Sequence, residues 1–94
     1  MIRSGGQIEY EEDLLLEELL TDTRKLVLYN DDVNSFDHVI DCLVSICKHE
    51  EQQAEQCALI VHYKGKAIVK EGEEDRLRIM CEGLLDKGLS ATIE

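Results

Sequence analysis

Tryptophan and proline are absent from the 94 residues, and aromatic side chains make up only 4% of them. Without large rings there is no row of platforms on which nucleic-acid bases could stack, and the core of any domain has to be aliphatic. Basic residues are scarce too: ten Lys and Arg stand against twenty-one Asp and Glu, a formal charge of -11. That balance repels phosphate backbones and anionic lipid headgroups, which sets aside nucleic acid and membrane as partners. No apolar run approaches the roughly 20 residues needed to cross a bilayer, and the first residues lack the basic-then-apolar order of an export signal. The chain reads as a cytoplasmic protein. Its hydrophobic fraction of 44% supports one small core, and 94 residues leave no room for a second.

Metal-binding spacings are missing as well. Cys42, Cys47, Cys57 and Cys81 form no C-x-x-C pair, and His38, His49 and His62 fall into neither H-x-x-x-H nor H-E-x-x-H. The cysteines sit among apolar residues at helical spacing and read as reduced core thiols, as in a reducing cytosol. No Ser/His/Asp or Cys/His arrangement and no glycine-rich phosphate loop is present, so neither a cofactor nor an enzyme activity is expected.

What is present divides into an extension and a domain. Residues 1–23 open with Arg3, Ser4, Gly5 and Gly6 and continue into an acidic stretch carrying Leu14, Leu15, Leu16, Leu19 and Leu20. They read as a flexible extension with one possible short helix. From Lys25 to Tyr29 strand formers run up to the turn-favouring Asn30, Asp31 and Asp32. Asn34 or Ser35 can cap a helix in which Phe36, Val39, Ile40, Leu43, Ile46 and Cys47 recur at helical spacing, ending near His49. A second helix from about Glu51 carries the stripe Ala54, Cys57, Ala58 and Val61 and stops at Gly65. Lys66 to Lys70 reads as a strand closed by Gly72, residues 73–87 as a helix with Leu77, Met80, Cys81, Leu84 and Leu85 on one side, and Leu89 to Ile93 as a last strand. The expected class is α+β: a three-stranded antiparallel sheet with three helices on one face, in the order β-α-α-β-α-β.

Two features could carry chemistry. Asn30, Asp31, Asp32 and Asn34 crowd four acceptor-bearing side chains into the first strand-to-helix link. Such residues commonly do no more than satisfy the backbone N–H groups at a helix start, but one cap suffices, and a surplus of acceptors suits a cation or amine. His62 follows Leu59, Ile60 and Val61 near a helix end, where it can be a partly buried core residue or a cation near the helix C-terminus. His38 and His49 read as ordinary residues of a helix surface.

N-D-D at Asn30 to Asp32 after a strand, V-H-Y-K-G-K-A-I from Val61 to Ile68, and the closing A-T-I-E together resemble the ClpS adaptor family, over about residues 24–94. The resemblance implies an adaptor of the N-end rule pathway. Such a protein binds the free first residue of an N-degron and passes the substrate to a ClpA- or ClpC-type AAA+ unfoldase, cleaving nothing itself. Carried onto this sequence, Asn30, Asp32 and His62 would hold the substrate's α-amino group, with Asp31 supporting the loop. Leu28, Asn34, Phe36, Val39, Ala58, Val61 and Leu89 would form the pocket for the first side chain, and Glu73, Glu74 and Arg76 would face the unfoldase. The sequence departs from the family's usual N-D-D-x-T-P-M, with Asn34 for Thr, Ser35 for Pro and Phe36 for the gating Met, and Ala58 stands where Met is frequent. Two other classes remain open: an interaction domain similar to the C-terminal domain of the ribosomal stalk protein, lacking an amine pocket, and an acidic mimic of nucleic acid.

Overall fold

The computed structural model describes residues 23–94; the extension and its leucine-bearing stretch, residues 1–22, lie outside the described part. Six elements follow one another: β1 Thr23–Tyr29, α1 Phe36–Ser45, α2 Glu51–Lys64, β2 Lys66–Glu73, α3 Glu74–Asp86 and β3 Ser90–Ile93. The order is the one the sequence pattern leads to. β1 is the central strand, antiparallel to β2 on one side and to β3 on the other.

Alternation along β1 sends Leu26 and Leu28 to one face and Val27 to the other. Leu26 and Leu28 join a continuous aliphatic core with Leu43, Ala54, Val61, Ala67, Val69, Leu77, Leu84, Leu89 and Ala91. α3 packs across all three strands, α2 against β2 and α1 against α2. Val27 lies opposite Ile68, whose side chain is about half exposed on the uncovered face. A register shift between Leu26 and Val27 sets Leu26 opposite Lys70 and Val27 opposite Ile68, leaving Val69 as the extra residue of a bulge.

The helix ends follow local chemistry. Ser35 caps α1, its hydroxyl accepting from the His38 backbone N–H at 3.1 Å. Gly65 ends α2 in the left-handed conformation, φ 92°. After α3, Gly88 takes φ 86°, Leu89 N–H donates to Leu84 C=O and Gly88 N–H to Leu85 C=O, which is a Schellman closure with its usual apolar pair Leu84 and Leu89 buried.

The structure differs from the sequence pattern in five places. α1 stops at Ser45 rather than near His49, because Lys48 adopts φ 63° and the His49 N–H closes back onto Leu43 C=O. His49 is therefore not a helix-surface residue: it is buried, and its Nε2 bonds Val69 C=O at 2.6 Å. β2 continues through Gly72 to Glu73, since Thr23, Arg24 and Lys25 extend β1 far enough to pair with that stretch. Leu85 is half exposed and off the core face of α3, and Cys57 is only partly covered, while Cys42, Cys47 and Cys81 are buried thiols. Burial pushes the Cys47 thiol up to about 11.

Candidate functional site

The link between β1 and α1 is built around Asp31. Its carboxylate accepts from Val33 N–H at 3.0 Å, from Asn34 N–H at 2.9 Å and from the Asn34 side-chain amide at 2.9 and 3.0 Å. These bonds, that from the Asn34 backbone foremost, hold the carboxyl below its ordinary value, so it stays ionised at neutral pH. The loop is tied down at both ends. Asn30 N–H donates to Gly65 C=O at 2.9 Å, which joins it to the turn after α2. The Asn34 amide donates to Gly88 C=O at 2.8 Å, which joins it to the turn between α3 and β3.

The turn at Gly65 carries the second half of the site. His62 lies one helical turn after Ala58 on α2, and both face the loop. Its ring meets Tyr63 edge-on, with centroids 5.0 Å apart. Among the described residues, the side chains of Asn30, Asp32 and His62 make no hydrogen bond, whereas Asp31 and Asn34 are engaged within the loop. Of four loop side chains able to accept, two thus serve the loop itself and two stay available beside the histidine.

All eleven residues that the resemblance assigned to the amine and the first side chain line one concavity of about 410 Å³. Asn30, Asp31, Asp32 and His62 occupy its polar side. Leu28, Val39, Ala58, Val61 and Leu89 form an aliphatic floor and walls, and Phe36, about two-fifths exposed, stands at the rim. Ala58 is buried and short, which leaves depth in the floor. Asn34 lines the same space but as a polar strut, its amide spent on Asp31 and Gly88. Tyr29 also borders the concavity, a residue that neither the sequence pattern nor the resemblance singles out; its adjacency to Asn30 at the end of β1 is the available signal. Its hydroxyl donates to the Glu94 carboxylate, which also accepts from Thr92 at 2.9 Å, and these bonds hold Glu94 below its ordinary value.

Glu73, Glu74 and Arg76 lie elsewhere, at the junction of β2 and α3. Glu74 receives Arg78 at 2.9 Å and has Arg24 within 4.0 Å, while Glu73 and Arg76 are exposed. Among the described residues no cluster of His, Cys, Asp or Glu could hold a metal, and no helix is long and apolar enough to cross a membrane.

Comparison with known proteins agrees on one family. Residues 21–92 match the description of the ATP-dependent Clp protease adaptor protein ClpS. The chain is 37% identical over 67 residues to the ClpS adapter protein of Thermosynechococcus vestitus, covering 70% of this chain and 71% of that one. It is 40% identical over 62 residues to the corresponding protein of Shewanella pealeana, covering 65% and 61%. The fold superposes with a TM-score of 0.74 on Agrobacterium tumefaciens ClpS2 solved bound to L-phenylalaninamide, at 24% identity, over 77% of this chain and 94% of that one.

Proposed function

Because the chain belongs to the ClpS family of Clp protease adaptors, we propose that it captures proteins through a free α-amino group and a bulky hydrophobic first residue. It then delivers them to a ClpA- or ClpC-type AAA+ unfoldase in the cytoplasm, with the binding domain beginning at Thr23, the first residue of β1, and the residues before it as the delivery extension. It performs no cleavage of its own. The observation that carries this reading is the pairing of unengaged acceptors with an aliphatic hollow in one concavity. An ammonium brings three N–H donors and one positive charge. Asn30 offers an amide oxygen, Asp32 a carboxylate and neutral His62 a ring nitrogen. The outer oxygen of Asp31, bonded only by the Asn34 amide, adds negative charge beside them. The first side chain then enters the hollow between Val39, Ala58, Val61 and Leu89. A phenylalanine derivative bound by the ClpS2 relative supports the same ligand class. A domain of the stalk-protein kind has no use for acceptors left without donors over an apolar cleft.

The substrate is tested by titrating a peptide with N-terminal Phe against its Nα-acetylated form. A hydrogen bond to a charged group contributes about 1.5–3 kcal/mol, so acetylation is expected to weaken binding tenfold or more. Asp32→Ala and His62→Ala should each reproduce much of that loss with an unchanged melting temperature. Equal affinity for both peptides would overturn the amine site. Glu73, Glu74 and Arg76, which the resemblance assigns to the unfoldase, lie at the junction of β2 and α3 and do not line the concavity, Glu73 and Arg76 being exposed and Glu74 half-buried.

A further inference from the structure

Two side chains, Asn34 on the lining of the concavity and His38 outside it, fasten the turn between α3 and β3 to the opposite wall. Asn34 has two amide hydrogens and three acceptors in range: the two oxygens of Asp31 at 3.0 and 2.9 Å, and Gly88 C=O at 2.8 Å. Acceptors on both sides fix which way the amide points. One turn into α1, His38 Nε2 lies 2.9 Å from Lys87 C=O. A carbonyl can only accept, so that nitrogen carries the hydrogen. The two bonds grip consecutive carbonyls, Lys87 and Gly88, immediately before Leu89. Leu89 is buried, lines the concavity, packs in the core beside Leu84, and has its N–H closed onto Leu84 C=O by the Schellman turn.

We infer that Asn34 and His38 are positioning residues that set the width of the first-residue pocket, by holding Leu89 at a fixed distance from the loop and α1. The inference rests on the proposed amine-and-side-chain reading and extends it to selectivity. Dispersion contact falls off steeply with a gap of even half an ångström. A branched aliphatic side chain such as Leu needs both walls close, whereas an indole spans a wider space. The clamp therefore favours Leu relative to Trp, and releasing it should reverse that advantage. Phe36 and Ala58 decide depth and rim; the clamp decides breadth.

The test uses the full chain and four peptides, beginning with Leu or Trp and with the amine free or acetylated. His38→Phe removes the donor on a partly exposed helix position, His38→Gln restores one of similar reach, and Asn34→Ala is combined with His38→Phe. The Trp-to-Leu affinity ratio is expected to rise at least threefold in His38→Phe, further in the double variant, and to stay at the wild-type value in His38→Gln. A ratio unmoved in His38→Phe and in the double variant, with amine dependence intact, overturns the clamp alone. Equal weakening toward both peptides in step with a lowered melting temperature overturns it too, since that is what a purely structural bond would give. Loss of amine dependence in the wild type overturns the underlying reading and the clamp together.

Discussion

Asp31 serves the loop that carries it, and this gives the site a pH limit of its own. Its carboxyl lies below the ordinary value in the folded chain because Asn34 and Val33 donate to the ionised form. A group depressed by folding adds stability that is present above its unfolded value and is lost as pH falls through the folded one. The side chain is largely solvated, so screening keeps the contribution small. The melting temperature should decline on acidification below the usual carboxylate range, and less steeply in Asp31→Asn. Parallel curves for the two proteins would assign the decline to other carboxylates, Glu94 first among them. At this scale the sequence pointed to the residues that line the concavity and to Asp31 as the loop's support, but not to the struts that reach across the fold. Asn30, Asp32 and His62 lie in two short motifs that the family resemblance couples, and the fold brings the end of β1 beside the end of α2. The partners of Asn34 and His38 are carbonyls some fifty residues away, and no side-chain pattern marks a carbonyl.

The elements divide in the same way. α2 and α3 end at Gly65 and Gly88, where a residue without a Cβ takes the left-handed turn at no steric cost, and both ends could be read directly. The end of α1 could not: Lys48 takes φ 63° where glycine is usual, and Ile46 and Cys47 prolong the apolar period past the true end. The Gly88 turn matters beyond α3 because Leu89 and the carbonyl that accepts from the Asn34 amide both depend on it. A Cβ at Gly88 would meet only the Asn34 side-chain oxygen at 3.9 Å, so Gly88→Ala has space and suffers only from its dihedral angle. The expected cost is about 1–2 kcal/mol, read as a lower urea midpoint at unchanged m-value. Peptide affinity should drop as well, since the turn carries a wall of the concavity. A variant as stable and as tight-binding as the wild type would refute this dependence.

For the whole molecule, the expected architecture and element order agree with the observed ones because hydrophobic period, turn residues and helix ends point the same way. The fate of residues 1–22 did not follow from composition, since leucines within an acidic run suit either a docked helix or a delivery segment. Removing them should leave β1 and its loop intact. A chain beginning at residue 23 is expected to bind an N-terminal Phe peptide within about twofold of the full chain, yet to fail in promoting degradation of a tagged substrate by the unfoldase and peptidase. Lost affinity together with a lower melting temperature would mean that the leucines belong to the core. The buried His49 carries a different consequence, for life at high concentration. β2 and β3 are the two edges of the sheet, and β3 is only four residues long. β2 is twice that length, and at its bulge the Val69 C=O is taken by His49 while the Lys70 ammonium reaches across to Cys47 C=O, tying the strand to the α1–α2 link. Left open, such an edge is a template for cross-molecule sheet growth. The net charge of -11 keeps copies apart only while salt is low. Light scattering of concentrated His49→Ala should therefore rise with added salt while the wild type stays clear, and equal curves would show that the freed Val69 carbonyl does not open the edge.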